Sequence, residues 1–239
     1  MKILFVSLFT IFSLASFAQN EVVMSDPNVR QRTLNESFTA INVSDGVTLY
    51  LTQGNEEQIA ISTSDAKYEE RFKTTVKNGV LKIWYDNQGV NWPGNDKKKL
   101  KAYVSFKTLE KLAASAGAHV IMKSILSSDK MDCTFSSGAR FTGQVAIDEL
   151  DVSQSSGAQV EISGNADHLK VDVSSGAMFK GYELATDFCE AKASSGGAAR
   201  VTVNKELVVK ANSGGGIQYK GDGVIKDMNI NSGGSVKKG

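Results

Sequence analysis

Residues 131–139 read Met-Asp-Cys-Thr-Phe-Ser-Ser-Gly-Ala, residues 150–158 read Leu-Asp-Val-Ser-Gln-Ser-Ser-Gly-Ala, and residues 169–177 read Leu-Lys-Val-Asp-Val-Ser-Ser-Gly-Ala. Each block holds mainly apolar residues at alternate positions and ends in a Gly-containing turn. Period two with one apolar face is the signature of a strand. A strand followed by the same tight turn, recurring at a fixed interval, is the signature of a solenoid.

The turn extends in both directions. It begins at Ser115, Ser136, Ser155, Ser174, Ser194, Asn212 and Asn231, so successive starts differ by 21, 19, 19, 20, 18 and 19 residues. Five residues after each start stand Val120, Phe141, Val160, Phe179, Ala199, Ile217 and Val236. Each repeat therefore offers two short strands meeting at a corner of small residues. One such repeat cannot bury a one-sided apolar face alone, whereas a stack of them can. The expected fold is all-β, a right-handed parallel β-helix with rungs of about nineteen residues. Continued alternation places the second Ser and the following Ala or Gly inward, and a Ser/Asn column is expected to hydrogen-bond along the stack. The corner Gly supplies a backbone conformation other residues resist.

The repeats occupy residues 108–239. Residues 31–107 are less regular and are expected to form a β-rich cap, because solenoid ends need atypical covers. Phe38–Val47 resembles one more rung, with Ser44-Asp45-Gly46 at its corner. Strands are expected at 47–52, 58–62, 80–85 and 101–106. A helical turn or two is expected over Ala66–Phe72, capped by Asp65, and an exposed loop over Asp86–Lys99. At the far end, Lys237 and Lys238 would discourage edge-to-edge pairing.

Ahead of the domain, Lys2, the apolar run Ile3–Phe17 and the small residues of Ser16-Phe17-Ala18 form a signal peptide over 1–18, with 19–30 a flexible N-terminus. The run is too short to span a bilayer, and no later segment approaches the ~20 apolar residues required. The formal charge of +1 falls to zero once Lys2 is removed. That leaves no electrostatic footprint for nucleic acid. Cys133 and Cys189 lie three repeats apart, about 14 Å at the ~4.8 Å strand spacing. A disulfide needs Cα atoms within about 7 Å, so no bridge is expected.

Signatures of chemistry are sparse. No Gly-x-Ser-x-Gly elbow occurs, and Gly214-Gly215-Gly216 lacks the Lys-Ser/Thr of a phosphate loop. His119, following a corner, and His168, in a turn beside Asp167, are expected to be ordinary surface residues rather than metal ligands. Asp132 and Asp151 occupy the same outward position in adjacent rungs, about 5 Å apart. They form the one arrangement suited to a calcium ion or to the acid–base pair of a polysaccharide lyase or hydrolase. Lys170 in the same column offers the alternative of a surface ion pair.

A second outward column runs Ile121, Thr142, Glu161, Lys180, Arg200 and Gln218, flanked by His119, Arg140, Gln159 and Met178. Arg140, Gln159, Glu161, Lys180 and Arg200 are candidate contacts for an extended polysaccharide, although charges on a strand face are first of all solubilising. Tyr85 and Trp92, beside the long loop, are candidates for sugar stacking.

Three stretches carry a family resemblance. They are Phe38–Gly54, with Ile-x-Val-x-Asp-Gly-Val ending in Gln-Gly; Val76–Ile83, reading Val-Lys-Asn-Gly-Val-Leu-Lys-Ile; and Tyr103–Ala118, where Leu-Glu-Lys-Leu runs into Ala-Ser-Ala-Gly-Ala. With the Ser-Gly-Ala repeats, the chain resembles the head GIN domain family of secreted bacterial proteins, named for autotransporter adhesins, over one continuous domain of about 31–236. The resemblance implies a β-helical fold, export from a Gram-negative cell to the periplasm or cell surface, and a role in adhesion. It brings no catalytic residues. The functional expectation is an exported, non-enzymatic module without cofactor, binding a cell-surface or extracellular polysaccharide or protein. The alternatives are a polysaccharide-cleaving enzyme using Asp132 and Asp151, and a structural envelope protein without a small ligand.

Overall fold

The computed structural model describes residue 26 and residues 28–87 and 98–239; the signal peptide read over 1–18 lies outside these. Seventeen strands form one sheet that coils on itself. In the N-terminal part these are β1 (Arg30–Arg32), β2 (Ala40–Val43), β3 (Thr48–Gln53), β4 (Gln58–Ser62), β5 (Phe72–Lys77), β6 (Val80–Tyr85) and β7 (Lys101–Phe106). The repeats contribute β8 (Lys111–Ala114), β9 (His119–Met122), β10 (Leu126–Phe135), β11 (Arg140–Gln154) and β12 (Gln159–Val173). They continue with β13 (Met178–Ala193), β14 (Ala198–Ala211), β15 (Gly216–Lys220), β16 (Val224–Ile230) and β17 (Ser235–Lys238).

From β8 onward every strand pairs in parallel with the strands of the next levels, and apart from local register shifts in β12–β13, β13–β14 and β14–β16 like stacks on like, so the chain is the β-helix its repeat implies. Met131, Leu150, Leu169, Cys189 and Leu207 form one inner column; Cys133, Val152, Val171, Ala191 and Val209 form the next. Burying a Leu or Val side chain contributes roughly 1.5–3 kcal/mol, and repetition along the columns builds the core. Cys133 and Cys189 are free, buried and in different columns. Burial pushes both thiols up to about 12, leaving them as small apolar fillers.

The corners correct two expectations. The second residue and the Gly both adopt positive φ, 50° and 73° at Ser137-Gly138, and Ala139 N–H donates to the Ser136 carbonyl at 3.0 Å. Two consecutive left-handed residues closed by that bond give the type I′ turn. The reversal interrupts strand alternation, so the second Ser faces solvent, while the following Ala139, Ala158 or Ala177 goes inside. The stack is joined here chiefly by backbone, with Ser174 Oγ adding one long hydroxyl bond to the Gln154 carbonyl at 3.5 Å. Gly138 N–H donates to the Ser156 carbonyl at 3.0 Å, Gly157 to Ser175 at 3.1 Å and Gly176 to Ser195 at 3.2 Å.

The N-terminal part holds a rung of the same kind. Asp45 and Gly46 have φ of 59° and 71°, and Gly46 N–H donates to the Ala116 carbonyl at 2.9 Å. Strands β2 and β3 pair in parallel with β6 and β7 on one side and with β8 and β9 on the other. The first rung in sequence is thus the second in space. Beyond it the parallel order stops: β5 lies antiparallel on β6, β4 antiparallel on β7, and β1 antiparallel on β4. These strands, with Tyr68 and Phe72 buried beneath them, form the cap. The helical segment shrinks to a single 3-10 turn, Ala66–Tyr68, whose Asp65 cap accepts from Lys67 N–H at 3.0 Å. The alternating residues that follow it go into β5 instead. Asp26 ties down the start of the described chain: its carboxylate accepts from Lys101 Nζ at 2.8 Å, Ser62 Oγ at 2.9 Å and Tyr103 Oη at 3.2 Å.

Candidate functional site

Two outward faces flank the corner column. On the face after the corner, register aligns Thr142, Glu161, Lys180 and Arg200 on adjacent strands, with Gln218 next. Glu161 pairs with Lys180 at 3.4 Å, and Arg200 Nε donates to Gln218 Oε1 at 3.1 Å. The rung between Ser174 and Ser194 is one residue longer than the rung before it and two longer than the rung after it, and its register slips between Gly181 and Ala185. The slip sets Tyr182 and Glu183 beside this column. Arg200 lies 5.9 Å and Lys220 4.4 Å from the Tyr182 ring centroid, both within cation–π range.

The result is an open groove of about 510 Å³ lined by Thr142, Glu161, Lys180, Tyr182, Glu183 and Arg200. It presents two carboxylates, two cations, the Thr142 hydroxyl and the Tyr182 phenol ring along a flat wall, a mixture suited to the hydroxyls and apolar faces of a sugar chain. Of the residues singled out from sequence, Glu161, Lys180 and Arg200 meet here. Arg140 and Gln159 are exposed register partners two residues nearer the corner, outside the groove lining. His119, opposite Arg140, is half-buried; burial first, and the Arg140 charge second, lower its pKa.

The face before the corner carries a second open groove of about 460 Å³, lined among others by Glu149, Asp151, His168, Lys170, Phe188 and Glu190. His168 sits in β12 rather than in a turn, and it stacks on Phe188 with ring centroids 4.7 Å apart and 10° between planes. Asp132 and Asp151 are register partners as expected, yet Asp151 Oδ2 lies 3.5 Å from Lys170 Nζ, so its charge is already countered. Among the described residues no group of three or more His, Cys, Asp or Glu is placed to share a metal ion.

Tyr85 is a correction. It is 2% exposed, with its ring edge-on to Tyr68 at 6.4 Å, so the ring plugs the capped end and offers no face to a sugar. Trp92 lies outside the described residues. Sequence reasoning passed over Tyr182 and Phe188. The one-residue excess in the Ser174–Ser194 spacing was the available signal for Tyr182; Phe188 carried none, since an isolated aromatic at an outward position has no periodic partner.

A parallel coil with open grooves along its flanks defines the protein as a β-solenoid. The chain belongs to the family described as "Putative auto-transporter adhesin, head GIN domain", whose model matches residues 37–223. Among solved structures it is similar to a putative adhesin from Bacteroides fragilis NCTC 9343, at 18% identity and TM-score 0.78 over 88% of this chain and 95% of that one. A putative adhesin from Parabacteroides merdae ATCC 43184 is similar at 18% identity and TM-score 0.70, covering 89% and 97%. A putative lipid binding protein from Parabacteroides distasonis ATCC 8503 is similar at 19% identity and TM-score 0.66, covering 90% and 97%. At these identities the likeness concerns the fold. No curated protein matches the sequence. Among the described residues no helix is long and apolar enough to cross a membrane.

Proposed function

We propose that the protein is an exported, non-enzymatic adhesin-like module that binds an extended glycan along the groove of Glu161, Lys180, Tyr182 and Arg200. Membership of an adhesin family supports a surface role. The observation that carries the glycan reading is the register slip that sets an aromatic ring beside a ladder of one carboxylate and two cations. Sugars are held by such a combination: ring faces for their C–H surfaces, and fixed donors and acceptors for their hydroxyls. The pairing of Asp151 with Lys170 weighs against the cleaving-enzyme alternative, whose acid–base pair would need both carboxylates available.

Screening the purified protein on a glycan array, with and without calcium, tests this reading. Tyr182→Ala and Arg200→Ala should each weaken binding roughly tenfold or more, the effect of losing one well-placed contact, whereas Asp151→Asn should leave it unchanged. A lipid arm with phospholipid vesicles separates glycan from lipid recognition. Binding to vesicles alone, or glycan binding indifferent to both groove substitutions, would overturn the assignment. Steady release of unsaturated or reducing ends from polysaccharide mixtures would instead establish cleavage.

A further inference from the structure

The two ends of the coil are finished differently. At the N-terminal end, antiparallel strands β4 and β5 cover the outermost parallel strands. At the C-terminal end, β16 and β17 each pair on one side only among the described residues, with β14 and β15 respectively. The inward side chains of that last rung are uncovered: Met228 is 46% and Ile230 44% exposed, while Val209 and Ala211, their register partners one level below, are fully buried. Apolar residues next to unpaired strand edges make an interaction surface. Residues 88–97 join the chain at the opposite end, eight strand steps or ~38 Å away. A loop of that length tethered at both ends cannot reach so far.

We propose that a second copy of this chain covers the end, tail to tail about a two-fold axis at Ser232, with β16 antiparallel to β17 of the second copy. The sequence fits itself in that register. Setting corner over corner pairs Met228 with Val236 of the second copy on the inner side. It pairs Asp227 with Lys237 of the second copy on the outer side, and symmetry repeats both contacts. Opposed residues of antiparallel strands share a face about 5 Å apart, and both pairs obey the observed burial: Met228 and Val236 lie on the core side, Asp227 and Lys237 are exposed. Asp227 and Lys237 have no ion-pair partner among the described residues, in contrast to Lys226, which pairs with Glu206 at 3.2 Å. Antiparallel addition onto a parallel rung is the device the molecule already uses at its other end. Lys237 and Lys238, which repel most approaching edges, then act as selectors: Lys237 accepts an edge that brings a carboxylate. A two-fold contact of this kind closes on itself and leaves both capped ends and all side grooves free.

Sedimentation velocity over a concentration series tests the proposal. The wild-type protein should form a dimer. Asp227→Lys and Lys237→Glu should each weaken it ~10-fold or more by facing like charges, and the double variant Asp227→Lys/Lys237→Glu should restore it. All three variants change only exposed side chains and should melt as wild type, so loss through misfolding would be visible. A monomer at every concentration, including one whose end is covered by its own residues 1–25, or a double variant no better than the singles, overturns the proposal.

Discussion

The irregular N-terminal part and the regular coil that follows are built from the same rung, and they differ in what surrounds it. In the coil, each rung has sequence neighbours on both sides, so the pattern repeats visibly. In the N-terminal part, β2, its corner and β3 lie between strands that come later in the chain, β6 and β7 on one side and β8 and β9 on the other. What the two share is the corner: two left-handed residues in succession, with the Gly N–H bonded to the next level. The comparison teaches that the corner, rather than the nineteen-residue interval, defines a rung.

If that is right, removing core from either region should cost alike. Leu49→Ala and Leu169→Ala, both fully or almost fully buried, should each lower stability by about 3 kcal/mol in denaturant titrations. A much smaller loss for Leu49 would mean that the N-terminal rung is an appendage. Next comes the corner. A Cβ on Gly157 would meet nothing within 4 Å, but φ there is +72°, so the penalty is conformational. Gly157→Val should destabilise by about 2 kcal/mol, whereas Gly157→Asn, a residue that tolerates this region, should cost clearly less. Equal effects would mean that bulk, and not backbone geometry, limits the position.

The cap sharpens the comparison through pH. The Lys101 hydrogen bond, helped by Ser62 and opposed by desolvation, lowers the Asp26 carboxyl from 3.8 to about 2. A group with a depressed folded pKa stabilises above its unfolded value and loses that contribution as pH falls through the folded one. Asp26→Asn should therefore lower the melting temperature at neutral pH, and the gap to wild type should close between pH 3.8 and about 2. A constant gap across that interval would separate the tether from its charge.

Within the coil, Gln154 is 3% exposed and its side-chain amide has no partner among the described residues. Replacing it by Leu should raise stability by about 1 kcal/mol, because a buried polar group without a hydrogen bond is costly; a loss on thermal melting would show that the amide is satisfied. The smallest effect belongs to Asp151→Asn, within ~0.5 kcal/mol, since an exposed pair such as Asp151–Lys170 contributes little.

Much of this was legible in the sequence because a solenoid writes its contacts as a period. The columns of Leu150, Leu169 and Leu207, the strands at 58–62, 80–85 and 101–106, and even the Ser44-Asp45-Gly46 corner follow from alternation and turn chemistry. Three things did not follow. Alternation gave the wrong side for Ser137 because left-handed residues break it. The spatial order of β6, β2 and β8 is a matter of which strands meet, which no local pattern encodes. Of the candidate site, the ladder of Glu161, Lys180 and Arg200 could be read from register, while Tyr182 depended on where the extra residue of its rung was accommodated, and Tyr85 was misread because its neighbours resembled a loop rather than a cap.

The direct test of corner-defined rungs is a cross-link between the two regions. With cysteines at Asp45 and Ala116, far apart in the chain but at adjacent corners about 5 Å apart, mild oxidation should form a disulfide detectable by mass spectrometry. The pair at Asp45 and Ser137, two levels apart, should stay reduced. A bridge that forms readily in the second pair and not in the first would contradict the stacking on which the whole account is built.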